Sequence, residues 1–201
     1  MTLRAVPVGV GHYLPERVVE NAEFEASLDT TDEWIRSRSG IERRHFVSEG
    51  ETTSGMAITA ARRALDMASL TPEDVDAVIV ATSTPDLTFP SVATMVQSGL
   101  GMPGGFAFDV QAVCAGFVYA LANADALIRS AQAKRVLVIG SETFSRIMDW
   151  TDRSTCVLFG DGAGALVLEA QEGVGGPEDR GILATDLHSD GRFRDLLYVD
   201  G

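Results

Sequence analysis

Cysteine and histidine are scarce in this sequence. Its 201 residues contain two cysteines, Cys114 and Cys156, which are too few for a disulfide scaffold or a four-ligand zinc site. Each cysteine is therefore expected to be either a buried thiol or a reactive one. The histidines share no recurring ligand spacing, so the sequence gives little support for a metal site; they are His12, His45 and His188.

Positive charge and long apolar runs are scarce as well. The 16 lysines and arginines face 29 aspartates and glutamates, and the net charge of −13 lacks the electrostatic footprint of a general nucleic-acid-binding protein. No run approaches the roughly 20 apolar residues of a membrane helix, and the N-terminus lacks the apolar run of a secretory signal. We therefore predict a soluble cytoplasmic protein that binds neither nucleic acid nor membranes.

Apolar segments of strand length alternate with segments of helical period along the chain. This alternation predicts an α/β protein with a mainly parallel sheet, and the length fits one domain or a large half of a two-domain protein. We expect a loop over 172–180, where Gly, Pro and acidic residues are concentrated. The predicted strands cover 4–10, 77–81, 106–110, 135–140, 163–168 and 182–187, and the predicted helices cover 53–68, 91–100 and 116–130.

Cys114 stands where the strand over 106–110 leads through a short turn into a helix, whose first turn is expected to hold it. The dipole and free N–H groups of a helix N-terminus favour a thiolate, so this position can make a cysteine nucleophilic. The same N–H groups can donate to an oxyanion. A structural role as a buried thiol remains the alternative. Cys156 lies in an apolar run without a helix start and is predicted to be a core residue.

Two other local patterns resemble functional motifs but fail on detail. The glycine-rich segment 159–165 carries Ala165 where a dinucleotide-binding fingerprint needs its third glycine, and a strand rather than a helix follows. Close backbone packing is the better interpretation. The consecutive residues His188, Ser189 and Asp190 cannot converge as a catalytic triad, so they are predicted to form a turn.

A basic run beside Trp34 stands out in this acidic chain. Arginines next to an aromatic ring can bind an anionic ligand. A helix end whose charged side chains face only water explains the same run equally well. The residues concerned are Arg36, Arg38, Arg43 and Arg44.

Six short motifs, taken together, resemble a known family. They are DEWI at 32–35, RSGI at 38–41, VCAGF at 113–117, TDR at 151–153, FGDGAG at 159–164 and LHSDG at 187–191. In this order and spacing they resemble the N-terminal half of the β-ketoacyl-[acyl-carrier-protein] synthase III family, acyltransferases that initiate bacterial type II fatty acid synthesis. The resemblance implies that residues 1–201 form one N-terminal thiolase-like domain with a mixed, mainly parallel sheet and helices on its faces.

The resemblance implies specific roles for individual residues. Cys114 matches the cysteine that takes an acyl group from acyl-CoA, and its own N–H is expected to be one oxyanion donor. Trp34 and Arg153 match the pair that holds the adenine of CoA between a ring and a guanidinium. Thr30 and Arg38 match further CoA contacts.

Two phenylalanines match residues near the acyl pocket. They are Phe89 and Phe159, and Phe89 is expected to reach the pocket of the other subunit in a homodimer. From the sequence alone, both can equally be ordinary core aromatics.

The resemblance also implies substrates and partners. Acyl-CoA is expected as a substrate rather than a cofactor, no cofactor is expected, and malonyl-acyl carrier protein is the second substrate. In this family the catalytic histidine and asparagine belong to a C-terminal half, which the 201 residues lack, so we expect a fragment. Two alternatives stay open: a related condensing or acyl-transferring enzyme of secondary metabolism, and a non-catalytic half that needs a partner subunit.

Overall fold

A mixed five-stranded sheet forms the centre of the computed structural model, which describes residues 2–200. The strands are β1 (Thr2–Tyr13), β2 (Arg17–Glu20), β3 (Arg43–Phe46), β4 (Ala77–Ala81), β5 (Phe106–Val110), β6 (Arg135–Thr143) and β7 (Asp161–Gly173). The helices are α1 (Asn21–Glu25), α2 (Asp32–Ser39), α3 (Thr53–Ala68), α4 (Val92–Leu100) and α5 (Gly116–Arg129).

The sheet has the strand order β1-β7-β6-β4-β5. Strand β4 runs parallel to β5 and β6, whereas β7 runs antiparallel to both β6 and β1. Every residue of β4 is buried, because the strand has neighbours on both sides and helices on both faces. The predicted α/β class, with a mixed sheet whose central strands are parallel, is confirmed.

Helices cover the two faces of this sheet unequally. Successive side chains of a strand point to opposite faces, so Val78 and Val80 of β4 pack in a cluster with α3 and α4. Ile79, between them, packs on the other face with Ala120 and Ile128 of α5. The helix that follows Cys114 is therefore anchored on the sheet by its own apolar stripe.

Two glycines allow α3 to lie directly against β1. A Cβ atom placed on Gly11 would meet the carbonyl oxygen of Ala60 at 2.1 Å, and one on Gly9 would meet that of Ala64 at 2.2 Å. Backbone cannot yield as a flexible side chain does, so any larger residue at these positions must push the helix away from the strand.

A smaller unit, made of the β2–β3 pair with α1 and α2, has a core of its own. Its buried residues are Val19, Phe24, Ile35, Phe46, Cys156 and Val157. Arg44 of the predicted basic run is also buried here, where it donates to Asn21 Oδ1 and to the carbonyl oxygen of Val157, both at 2.8 Å. Burial lowers the pKa of Arg44. This arginine therefore has a structural role and is not part of a surface for an anionic ligand.

The strand predicted over 182–187 is wrong. Only Ile182 approaches the open edge of β1, where its N–H donates to the carbonyl oxygen of Ala5 at 3.0 Å. The next residues are exposed and bury no apolar face, so nothing fixes a register for a sixth strand. Exposed apolar side chains continue along this segment: Leu183, Leu187, Phe193, Leu196, Leu197, Tyr198 and Val199.

Candidate active site around Cys114

A cleft of about 340 Å³ opens at the sheet edge where β4 and β6 end. In parallel sheets this is the edge at which ligands bind. The wall is built mostly from small and apolar residues and contains one carboxylate. The lining residues are Leu14, Ala81, Val113, Cys114, Phe117, Gly140, Ser141, Glu142, Gly162, Ala163 and Gly164.

Cys114 is exposed in this cleft, in a single 3-10 turn that connects β5 to α5. The helix proper begins at Gly116, so Cys114 lies just before its first turn rather than within it. The preceding residue, Val113, has a φ of 47°. A β-branched side chain is rarely found in this left-handed region, and such strained backbone clusters at functional sites.

The amino end of α5 provides a positive environment for this turn. The residue that caps the helix, Ala115, offers no side-chain acceptor to the N–H groups of the first helical turn. A helix of this length carries a partial positive charge at that end, which favours an anion such as a thiolate or an oxyanion. Cys114 therefore lies beside the helix end at which the sequence placed it, and its role as a nucleophile stays a prediction.

Glu142 is the carboxylate in the cleft, and sequence reasoning missed it. Its oxygens accept hydrogen bonds from the N–H of Ser83 at 2.7 Å and from the hydroxyls of Thr84 at 2.5 Å and Thr82 at 3.4 Å. Burial raises the pKa of Glu142, although these donors oppose the shift. The available signal was an acidic residue three positions after Ile139, the last residue of the apolar run in β6.

The predicted CoA residues Trp34, Arg38 and Arg153 meet on the surface of the smaller unit. The Arg38 guanidinium lies 4.4 Å from the centre of the Trp34 ring, and that of Arg153 lies 5.0 Å from it. Trp34 is on α2, which begins where the Thr31 hydroxyl accepts the Trp34 N–H. The hydroxyl of Thr30 is buried and has no hydrogen-bond partner within residues 2–200.

The two predicted acyl-pocket residues lie elsewhere. Phe89 is 83% exposed, on the segment between β4 and α4. Phe159 stacks on Phe144 with ring centres 4.8 Å apart. In the described part of the chain neither is among the residues that line the cleft, so their role in an acyl pocket stays a prediction.

The remaining sequence candidates are accounted for by packing or exposure. Cys156 is fully buried, and burial raises the pKa of its thiol.

No group of three or more His, Cys, Asp and Glu side chains within residues 2–200 could hold a metal ion. Over the same residues, no helix combines the length and apolar character needed to cross a membrane.

Comparison with known proteins finds close relatives of this chain. Residues 108–191 match the family model for 3-Oxoacyl-[acyl-carrier-protein (ACP)] synthase III. Over its whole length the chain is 80% identical to the β-ketoacyl-[acyl-carrier-protein] synthase III of Jannaschia sp. (strain CCS1), of which it covers 62%. Over its whole length, therefore, the chain is similar to β-ketoacyl-[acyl-carrier-protein] synthase III, as the six sequence motifs predicted.

Solved structures of the synthase III family have the same fold. The crystal structure from Pseudomonas aeruginosa PAO1 is 46% identical, with a TM-score of 0.89 over 97% of this chain and 60% of that one. The priming β-ketosynthase of the R1128 polyketide pathway is 38% identical, with a TM-score of 0.82 over 85% of this chain and 51% of that one. The thiolase-like fold is therefore confirmed. The chain spans about three fifths of the length of its curated synthase III relatives.

Proposed function

We propose that this protein is an acyl-CoA-dependent condensing enzyme of type II fatty acid synthesis, with Cys114 as its nucleophile. The observation that carries the proposal is the exposed Cys114 thiol, held at a strained turn before the amino end of α5 and inside a cleft. A thiolate there can attack a carbonyl group, and backbone N–H groups can stabilise the resulting charge.

In the proposed first step, Sγ of Cys114 attacks the carbonyl carbon of an acyl-CoA thioester. A tetrahedral intermediate forms, and its oxyanion is stabilised by N–H groups around the Cys114 turn. The bond from the carbonyl carbon to the CoA sulfur then breaks, CoA leaves as a thiol after gaining a proton, and an acyl group remains on Cys114. This step requires no cofactor, because the thioester itself supplies the leaving group.

Trp34 and Arg153 are proposed to bind the nucleotide end of CoA. The proximity of the ring to two guanidiniums supports this proposal, since an adenine can stack on either group. The buried, unpartnered hydroxyl of Thr30 supports a further polar contact there.

The proposed second step joins the acyl group to malonyl-acyl carrier protein with loss of carbon dioxide. Decarboxylation leaves an enolate, whose charge needs hydrogen-bond donors. The family resemblance implies a histidine and an asparagine for this role, and none of the three histidines of this sequence matches the former. We assign this step to the protein at its natural length.

We also propose that the protein acts as a cytoplasmic homodimer. Within residues 2–200 no strand lies on the outer side of β5, and the exposed Phe89 is available to a second subunit. An exposed free thiol such as Cys114 suits a reducing compartment.

A second candidate is a priming condensing enzyme of secondary metabolism. The likeness to the R1128 priming β-ketosynthase supports it. Both candidates share acylation of Cys114 and differ in the acyl group that is accepted. Rates measured with a series of acyl-CoA substrates, from acetyl to longer and branched chains, separate them.

The proposed nucleophile is tested by incubating the protein at its natural length with acetyl-CoA. We expect one acetyl group, mapped by peptide mass spectrometry to Cys114. Cys114→Ser should prevent this labelling, and Cys156→Ser should leave it unchanged. An acyl group on Cys156, or one that persists in Cys114→Ser, would contradict the assignment.

A further inference from the structure

The carboxylate of Glu142 connects the ends of two central strands. Glu142 belongs to β6, and all three of its hydrogen-bond donors belong to the segment Thr82, Ser83 and Thr84, which directly follows β4. The backbone N–H of Ser83 and the hydroxyl of Thr84 bind different oxygens of the carboxylate. Both oxygens are therefore engaged, and the segment is held at two points.

Thr82 and the residue before it, Ala81, contact the two residues that flank the Cys114 turn. The N–H of Thr82 donates to the carbonyl oxygen of Val110, the last residue of β5 before the turn, at 3.3 Å. On the far side, Gly116 lies so close to Ala81 that a Cβ atom on Gly116 would be 3.3 Å from the Ala81 Cβ. Residues 81–84 thus connect the Glu142 carboxylate to both flanks of the Cys114 turn.

A strained turn needs such support. The left-handed backbone of Val113 costs free energy and persists only where the surroundings determine it. We infer that Glu142 is a positioning residue for Cys114: it holds residues 81–84 in the place that keeps the strained turn, and with it the thiol, in its reactive geometry. This inference rests on the proposed role of Cys114 as the nucleophile.

Thr84 also makes hydrogen bonds to residues other than Glu142. The competing explanation is therefore that Glu142 and Thr84 only stabilise the fold. The Thr84 hydroxyl also accepts the N–H of Thr143 at 2.8 Å, and its carbonyl oxygen accepts the hydroxyl of Thr53 at 2.6 Å. A test must therefore measure more than stability. The nucleotide-binding residue Trp34 belongs to a different cluster, so binding and acylation can be separated.

The first experiment uses Glu142→Gln in the protein at its natural length. The amide keeps the size of the side chain but replaces one acceptor oxygen by a donor. We expect acylation of Cys114 by acetyl-CoA, and its alkylation by iodoacetamide, to slow at least tenfold, while the Kd for CoA changes less than twofold. Ser83→Ala is the matched control, because the Ser83 hydroxyl is buried without a partner in residues 2–200; it should leave both rates within twofold.

The second experiment is a double-mutant cycle with Thr84→Val, which removes the hydroxyl donor to Glu142 and the acceptor of the Thr143 N–H without changing charge; the cycle isolates the contact with Glu142. If the Glu142–Thr84 contact positions the turn, the double variant should be no slower than the slower single variant. Effects that multiply would overturn the inference. So would a Glu142→Gln protein that reacts at the wild-type rate, or one that loses CoA affinity and reactivity together.

Failure of the proposed function would give a different result, namely no acylation of Cys114 in the wild-type protein, which is measured in the same series. If Glu142→Gln does not fold, Thr82→Val and Thr84→Val decide together, because both hydroxyls donate to the Glu142 carboxylate. A slower Cys114 with unchanged CoA binding supports the positioning role, and an unchanged rate refutes it.

Discussion

The guanidinium of Arg153 lies 5.0 Å from the centre of the Trp34 ring and also donates to the carbonyl oxygen of Asp29. A base stacked between ring and guanidinium needs about 3.5 Å on each side, or about 7 Å in all. The proposed adenine site is therefore closed in this structure. A nucleotide that enters it must move Arg153 outwards by about 2 Å.

Trp34→Ala should weaken the binding of acyl-CoA by about 1 to 2 kcal/mol, because it removes the stacking surface. Binding of an acyl pantetheine, which lacks the nucleotide, should change much less. Isothermal titration calorimetry measures both. Trp150→Ala is the control: Trp150 packs against Phe46 instead, so this variant should affect stability rather than CoA affinity. Equal losses for both ligands in Trp34→Ala would contradict nucleotide stacking.

Asp29→Asn should tighten CoA binding by up to about fivefold. The Asp29 carboxylate lies 3.4 Å from Arg153, and an exposed pair of this kind stabilises the closed position by at most about 1 kcal/mol. Glu33→Gln is the matched control, because it removes the same charge from the exposed first turn of α2. A weaker CoA affinity in Asp29→Asn, or equal tightening in both variants, would contradict a specific role of Asp29.

Iodoacetamide should modify Cys114 long before Cys156. Cys114 is exposed, whereas burial hides the Cys156 thiol and raises its pKa, so less reactive thiolate is present at any pH. Mass spectrometry at pH 8 should find a single modification in the native protein and a second one only in denaturant. The native Cys114→Ser protein should stay unmodified. Comparable rates at the two cysteines would show that the buried position of Cys156 is wrong.

Gly11→Ala should destabilise the protein by about 1 to 3 kcal/mol, because the new Cβ atom meets the carbonyl oxygen of Ala60. Gly164→Ala is the matched control on the neighbouring strand, since a Cβ atom there meets nothing within 4 Å. Urea unfolding measures both free energies. Similar stabilities for the two variants would mean that α3 and β1 can separate without cost.

Acid should weaken the link between β1 and the segment that follows β7. The N–H of Val174, together with Arg4, lowers the pKa of Asp179 in the folded protein. A carboxylate with a depressed folded-state pKa stabilises the protein above its unfolded pKa of about 4, and this contribution is lost as the pH falls further. Asp179→Asn should therefore lower the melting temperature at pH 7 more than at pH 3. The exposed Asp195→Asn should show no such difference.

The central strand and helix could be predicted because the spacing of their apolar residues matches the faces that the fold buries. Every residue of β4 is apolar and buried, and α3 combines a helical apolar stripe with a Thr52 cap that accepts the Gly55 N–H. Residues 182–187 are also mostly apolar, but within the described chain only Ile182 packs against the core and the others are exposed. Composition alone does not distinguish these two situations.

The residues alone predicted the part of the site whose chemistry is local, whereas the distant pair Trp34 and Arg153 came from the family resemblance. The Cys114 turn is a continuous stretch, so its environment is encoded in neighbouring residues. Glu142 acts through Thr82 and Thr84, which are 60 and 58 positions away, so only the sheet topology brings them together. The short β2–β3 pair was missed for the same reason: Arg17 pairs with Phe46 across two intervening helices.

The pairing of β1 with β7 also has a consequence for the chain during its synthesis. Thr2 of β1 pairs with Gly173 of β7, and β7 separates β1 from every other strand of the sheet. At a synthesis rate of about 5 to 20 residues per second, β7 follows β1 by on the order of 10 to 30 s. Until then β1 has no strand to pair with. During this interval β1 exposes unpaired backbone N–H and C=O groups, which other chains can pair with.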